Sequence, residues 1–325
     1  GEIKFLLKIV DNLRKSGVAI LYISHKLEEI MEIADSISIL RDGKIVHTSR
    51  ISDITMDEII AHMMGENTGK KFDWIPRTYD KDGPDLLSVE HLKINDRISD
   101  ISFSLKKGEI LGFAGLMGSG RTEILETLFG IRKQEGGVVK LNGKTMKIGN
   151  PTEAVKNGFA LIPEDRRKKG LVLIHSVKEN AILPKVARLR KHGVFVDEKM
   201  ADEMVEDNVR KLNIVTDDIH KRINLLSGGN QQKVVLAKWM NMRPEVMMLD
   251  EPTAGVDVGA KAEIIALMRD YAEEGKGVLF VSSELAELMA VCDRIITIYD
   301  GRITGEMDRS KIDSEEELQY AIQQK

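Results

Sequence analysis

Leu226-Ser227-Gly228-Gly229-Asn230-Gln231-Gln232 is the stretch on which the fold turns. It opens a helical pattern, and the first amides of a helix have no intrahelical partner. A serine hydroxyl and two glycine amides placed there, at the positive end of the helix dipole, make an anion site. Ser-Gly-Gly loops are common, so the neighbours decide what this one means. Some twenty residues further on, the apolar run Val246 to Leu249 ends in Asp250-Glu251-Pro252-Thr253. A buried strand of that kind delivers two carboxylates at its C-terminal end. Asp250 would hold the water shell of Mg²⁺ and Glu251 would polarise an attacking water, which is the positioning work that phosphoryl transfer requires. The alternative is a pair of acids that merely caps a strand before a helix.

Working back towards the N-terminus, Gly115-Leu116-Met117-Gly118-Ser119-Gly120-Arg121-Thr122 follows the apolar Ile110 to Ala114 and precedes the helical Ile124 to Phe129. Strand, glycine-rich loop and helix in this order form a phosphate-loop context, in which Gly115, Gly118, Ser119 and Gly120 offer main-chain amides to a polyphosphate and Thr122 ligates Mg²⁺. Arg121 stands where such a loop carries lysine, and its planar fork cannot occupy a compact ammonium's position unchanged. Taken alone, the loop could equally be a structural turn.

Leu86 to Glu90, Ile101 to Leu105 and a hairpin around Asn142-Gly143 predict an antiparallel layer, and strand-then-helix units follow from Glu109. Asp197 to Asn213 places Met200, Met204, Val205, Val209 and Leu212 on one face of an amphipathic helix. The chain opens on Ile3, Leu6, Leu7, Val10 and Leu13 at helical spacing without a preceding cap, as expected where a domain is entered partway. A β-rich run, Ala19 to Ser24, follows, then a helix from about Lys26 and a hairpin around Asp42-Gly43. This pattern returns 258 residues later: Gly275 to Thr304 aligns without gaps on Gly17 to Val46, with eleven of thirty pairs identical. A repeat of that size is a duplicated domain. Between the copies, the polar stretch Gly65 to Asp85, with Pro76, Gly83 and Pro84, reads as a linker.

Of the 325 residues, 42% are hydrophobic and 31% charged, a globular composition. The apolar runs are strand-sized, far short of the roughly 20 residues that span a bilayer, and there is no secretory signal pattern. One cysteine, Cys292, cannot form an internal disulfide and is expected to pack, as suits a reducing compartment. The 48 basic and 52 acidic residues, net −4, leave no basic face of the kind nucleic acid requires. Arg166-Arg167-Lys168-Lys169 is the densest basic run, read either as a solvated loop or as a contact for a partner or anionic lipid.

With the three segments in this order, residues 226–232 match the signature of ATP-binding cassettes, and the chain resembles the sugar-import ATPases of the ribose, galactose and xylose type, which carry two cassettes in one polypeptide. The resemblance implies an α/β fold, a P-loop NTPase of ABC type with a mixed sheet core, an antiparallel β-layer and an inserted helical subdomain at about 165–242. It implies a remnant of a first cassette at 1–66, a linker at 67–84 and a second cassette at 85–325. It places a D-loop around Asp257 and a Q-loop across Gly158 to Gly170.

The resemblance also identifies departures. Glu164 stands where glutamine is usual, Ser283 where the switch histidine belongs, and no aromatic residue lies between Leu86 and Ile101 to stack on adenine, His91 being a weak substitute. His25 keeps the position aligned with Ser283. In this family each nucleotide lies between the phosphate loop of one cassette and the signature of the other. Arg121, Glu164 and Ser283 therefore fall together in the site built on 115–122, with Glu251 as its retained catalytic carboxylate. His25 belongs to the site that Ser227, Gly228, Gly229 and Gln231 would complete.

The function implied is an ATP-binding and ATP-hydrolysing subunit, with ATP and Mg²⁺ as cofactors, at the cytoplasmic face of the membrane. Its second-cassette site would be of low activity. Its partners would be transmembrane permease subunits, a first cassette in the same full-length chain and, indirectly, a periplasmic or extracellular sugar-binding protein, with no nucleic acid. Two rivals stand beside this one. One is a cassette acting on ribosomes or DNA, which would usually show basic arms. The other is a regulatory cassette without turnover.

Overall fold

The computed structural model describes residues 2–24, 27–41, 44–64, 74–191 and 195–323. The chain divides into two units, Gly1–Lys71 with Asp257–Ala262, and Phe72–Val256 with Glu263–Lys325.

In the first unit the helical spacing at the N-terminus produces α1 (Glu2–Lys15), followed by α2 (Leu27–Ile33), the antiparallel hairpin of β1 (Ser36–Arg41) and β2 (Lys44–Arg50), and α3 (Met56–Met64). A small core of Leu27, Ile30, Ile37, Ile39, Ile54 and Ile59 joins α2, β1 and α3, and β2 is held by its pairing with β1. Lys26 and the Asp42-Gly43 turn lie outside the described residues. The expected strand at Ala19 to Ser24 does not form: residues 18–24 have no ladder partner, and Leu21 and Ile23 are each 89% exposed. A strand is defined by its neighbours, and an apolar β-branched sequence does not supply them.

The second unit begins with a stretch expected to be linker. Trp74 donates its indole N–H to the Cys292 carbonyl (3.0 Å) under the Arg309 guanidinium, and Arg77 bonds Asp293 (3.0 Å) and the Gly108 carbonyl (3.2 Å). Residues 74–84 are thus fastened to this unit, while residues 65–73 lie outside the described residues. The Arg77–Asp293 pair has side chains only 5% and 4% exposed, and Asp293 also accepts the Ile110 amide. Burial pushes the Asp293 carboxyl up to about 6. Arg77→Ala is expected to cost about 3 kcal/mol near neutral pH by leaving a buried carboxylate unpaired. Because the folded-state carboxyl titrates above its unfolded value, the loss should shrink as pH falls through 6 and Asp293 is neutralised. Denaturant unfolding at pH 8 and pH 5 checks this, and a loss that grew towards acid would contradict it.

Next come β3 (Asp85–Lys93), β4 (Ile101–Lys106), β5 (Ile110–Gly115), α4 (Arg121–Leu128), β6 (Gly136–Leu141), β7 (Lys144–Thr145), α5 (Pro151–Lys156) and β8 (Phe159–Ile162). After a π-turn at Arg166–Gly170, the helical segment holds α6 (Val177–Ile182), the short hairpin of β9 (Arg190–Lys191) and β10 (Phe195–Val196), α7 (Glu198–Lys211) and α8 (Gly228–Met240). Then β11 (Val246–Asp250), α9 (Val258–Glu273), β12 (Gly277–Val281), α10 (Leu285–Val291), β13 (Arg294–Tyr299), β14 (Arg302–Asp308) and α11 (Glu315–Gln323) complete the chain.

The expected antiparallel layer is the four-stranded sheet β4-β3-β6-β7, and the core sheet is β14-β13-β5-β12-β11-β8, parallel except for its edge strand β14. Strands β8, β11 and β12 are buried at every residue, as parallel strands covered on both faces must be. Asn142-Gly143 and Asp300-Gly301 both turn with positive φ at two successive residues, the geometry that joins twisted strands in two residues. Cys292 packs in the core, with its sulfur where a side chain on Gly112 would be.

In α7, Ala201 and Val205 are buried but Met200 is 53% exposed, so the buried face begins at Ala201, one residue after the expected Met200. The repeat is structural as well: α2, β1 and β2 recur 258 residues on as α10, β13 and β14 at equal lengths, each hairpin with its irregularity at the same place. The counterpart of Ala19 to Ser24 is β12, which does form, because β5 and β11 flank it.

Candidate functional site

The C-terminal ends of β5, β11 and β12, adjacent in the core sheet, carry the loops that the sequence singles out, where open α/β sheets bind ligands. After β5, a side chain at Gly115 would meet the Ile298 carbonyl at 2.4 Å and the Ser119 hydroxyl at 2.6 Å, while Gly118 and Gly120 have φ of 77° and 113°. Only glycine suits these positions. The loop thus turns back on itself before α4 begins at Arg121, and Ser119 is buried with its hydroxyl unbonded. Thr122 donates its hydroxyl to Asp250 at 3.2 Å, so the loop and the β11 carboxylate present two oxygens side by side.

Arg121 does not point into the loop. It is 8% exposed, donates to the Ser282 carbonyl (2.9 Å) beyond β12, and lies 3.8 Å from the Glu251 carboxylate. Glu251, with φ +47°, is gripped from the other side by the amide (3.0 Å) and hydroxyl (3.1 Å) of Ser283. Burial raises the Glu251 carboxyl above its ordinary range, against the Ser283 amide and Arg121, which lower it. Burial also pushes Asp250 up to about 6, with Glu251 and Glu164 adding in the same direction. Glu164 is exposed just beyond β8 and bears on both Asp250 and Arg121. Glu287 of α10 accepts hydroxyls from Thr253 (2.6 Å) and Ser282 (2.7 Å), tying the loops after β11 and β12 together.

Ser227 caps α8 from an exposed position, with its hydroxyl held by the Asn230 side chain at 2.9 Å. Gly228 is half-buried and Gly229 buried. Gln231, expected among the groups facing a nucleotide, is instead turned inward, its amide bonded to the Ile223 and Leu226 carbonyls at 3.3 and 3.0 Å. It shapes the loop from behind. Asp257 accepts the Ala260 amide (2.9 Å) at the start of α9. His25 lies outside the described residues. His91 sits exposed on β3 and bonds Asp100 at 2.8 Å.

One residue that bears on the site has no signal in its sequence context. Arg97, held in an Asn95-centred turn, donates to the Gly118 carbonyl at 2.7 Å and so reaches the glycine-rich loop from the antiparallel layer. The basic run splits: Arg167 and Lys168 face outward, whereas Lys169 bonds the buried Glu126 of α4 (2.9 Å) and Arg166 reaches the Ala254 carbonyl (2.6 Å). Nothing local announces these directions, since each partner is 43 or more residues away.

The loop after β5 fits a polyphosphate: glycines where side chains would intrude, a helix N-terminus, and a buried hydroxyl in want of a partner. Thr122 and Asp250 fit Mg²⁺, which takes few protein oxygens and keeps most of its shell from water and phosphate. Among the described residues no group of three or more His, Cys, Asp and Glu is placed to hold a metal without them.

Residues 98–254 match the family model described as ABC transporter. The chain is 43% identical over 320 residues to the ribose import ATP-binding protein RbsA of Streptococcus agalactiae, covering 98% of this chain and 64% of the relative. The protein of the same name from Clostridium perfringens is 42% identical over 321 residues, covering 99% of this chain and 64% of its own. The chain thus spans less than two thirds of the length of these relatives. Among solved structures, a nucleotide-free ATP-binding cassette from an ABC transporter superposes with a TM-score of 0.62 at 19% identity, over 74% of this chain and 96% of that one. The cbiO1 protein of Clostridium perfringens, part of the ABC transporter complex cbiONQ, gives 0.60 at 21% identity, over 72% and 92%.

Proposed function

Because the chain belongs to the ABC transporter family, we propose that it binds Mg·ATP through Gly115–Thr122 and Asp250 and serves as an ATP-driven subunit of a monosaccharide importer. The observation that carries the nucleotide site is the glycine loop, with its unbonded Ser119 hydroxyl, beside the Thr122–Asp250 pair. Sugar import rests on the names of the relatives, both ribose import proteins, and these disfavour a cassette acting on ribosomes or DNA. Residues 85–325 are read as a second cassette and residues 1–66 as the tail of a first, joined at 67–84, on the strength of the repeat. The partners are transmembrane permease subunits at the cytoplasmic face of the membrane and, through them, a sugar-binding protein.

In this reading the main-chain amides of the loop hold the phosphates. Mg²⁺ on Thr122 and Asp250 neutralises charge that develops on the transferred group, and Glu251 orients the attacking water. The site on this loop is of low activity. Arg121 is directed to Ser282 and Glu251 rather than to the phosphates, Ser283 grips the carboxylate that should hold water, and Glu164 adds a negative charge. The competent site is the one that His25 and Ser227–Gly229 complete with the phosphate loop of the first cassette.

Equilibrium titration of the chain with Mg·ATP tests the binding. Saturable binding is expected, and Arg121→Lys should tighten it by about tenfold, the scale of one recovered charge-assisted hydrogen bond. Absence of saturable binding in the wild type would refute the nucleotide site.

A further inference from the structure

The π-turn Arg166–Gly170 is fastened on several sides. Asp165 caps it by accepting the Arg167 and Lys168 amides (3.1 and 3.0 Å), Lys169 bonds Glu126 of α4, and the Gly170 carbonyl accepts the buried Lys238 ammonium of α8 at 2.6 Å. From this anchored base Arg166 extends across the start of α8. Its two terminal nitrogens donate to the Ala254 carbonyl (2.6 Å) and the Gly255 carbonyl (3.2 Å), in the turn that follows the β11 carboxylates. On its other side lies Gly228: a side chain there would meet an Arg166 nitrogen at 2.7 Å and the Gly255 carbonyl at 3.1 Å.

The guanidinium therefore fills the space between the first turn of α8 and the turn 253–255, bonded to one and packed on the other. Placing a cation at a helix N-terminus is unfavourable to the helix. Two backbone carbonyls offset that cost here, and a planar fork is the side chain that can bridge both.

We propose that Arg166 is a positioning residue, which fixes Ser227–Gly229 against the turn behind Glu251 so that the two loops keep one relative arrangement. Its contacts are to the loops themselves, and it acts through the loops it spaces. The proposal rests on the nucleotide reading only in giving those loops something to meet.

Amide hydrogen exchange on the full 325-residue chain, with Arg166→Gln, Arg166→Lys and Arg167→Gln, tests it. In Arg166→Gln, exchange at Gly228–Gln231 and at Ala254–Val256 should quicken together by about tenfold or more, while α4 keeps its rates. Arg166→Lys, which can reach one carbonyl at most, should show the same change and carries the measurement should the glutamine variant fail to fold. Arg167→Gln, facing outward, should change nothing. Unchanged rates, a rise in one segment only, or a uniform rise across the second unit would each overturn the proposal.

Hydrolysis stimulated by adding an intact first cassette supplies the functional reading. A positioning role lowers kcat by about tenfold with KM held within about twofold, and parallel changes in both would overturn it. Wild-type chain that failed to bind Mg·ATP would refute the nucleotide site but leave the exchange result standing.

Discussion

Gly120→Ala should weaken Mg·ATP binding by about 10²-fold, because two costs of roughly 1–3 kcal/mol fall on the same atom. Gly120 has φ +113°, which no side chain adopts without strain, and its new carbon would sit 2.9 Å from Ile98. Ile98 cannot yield easily, being fully buried in the main core. The loop would open, displacing the amides of Arg121 and Thr122 that begin α4. The control is Gly143→Ala in the β6–β7 turn, where φ is also positive (+74°) but nothing lies within 4 Å. It should cost about 1–2 kcal/mol of stability and leave affinity within about twofold. Calorimetric titration of both variants decides: equal affinities would mean the glycine loop is only a turn.

The other large effect concerns Ser227→Arg. If the signature completes a site on a first cassette, wild-type chain mixed with an intact first cassette should stimulate ATP hydrolysis. Ser227→Arg should lower that stimulation by about 10²-fold, the loss typical of removing one group that stabilises a transition state. The substitution removes the cap of α8 and puts a long side chain where the exposed Ser227 hydroxyl faces solvent. The chain's own affinity for Mg·ATP should be unaffected, since Gly115–Thr122 is not altered. The chain alone should turn over poorly, because Arg121 is bonded to the Ser282 carbonyl and Ser283 holds the Glu251 carboxylate. Stimulation equal to wild type would remove the signature from the reaction, and robust hydrolysis by the chain alone would remove the need for a second cassette.

The most legible parts of the site are those whose chemistry is local. A loop that must cradle phosphate needs glycines at fixed offsets, so Gly115, Gly118 and Gly120 stand out in a single sequence, and each has the backbone or the close contact that excludes a side chain. Asp250 and Glu251 are found from the wholly apolar run ahead of them, which becomes the buried strand β11. Less legible are the groups that turn a loop inward or outward. Gln231 follows two signature glycines but serves the loop's interior. The linker composition of 74–84 gives no hint that Arg77 forms a buried pair with Asp293.

Sequence by itself determined the cassette fold, the order of its motifs, the two-residue turns at Asn142-Gly143 and Asp300-Gly301, and the repeat that recurs in α2, β1 and β2. All of these follow from short-range rules: which residues tolerate positive φ, which runs can be buried on both faces, and which spacings line one side of a helix. Tertiary structure alone decided that Arg121 abandons the phosphate loop for Ser282, 161 residues away, and that Arg166 spans 88 residues to Ala254. It also decided that Ala19 to Ser24 forms no strand while its counterpart β12 does. The physical reason is common to all three. A long charged side chain or an extended backbone takes its direction from the partner that satisfies it, and that partner is supplied by the fold rather than by its neighbours in the chain.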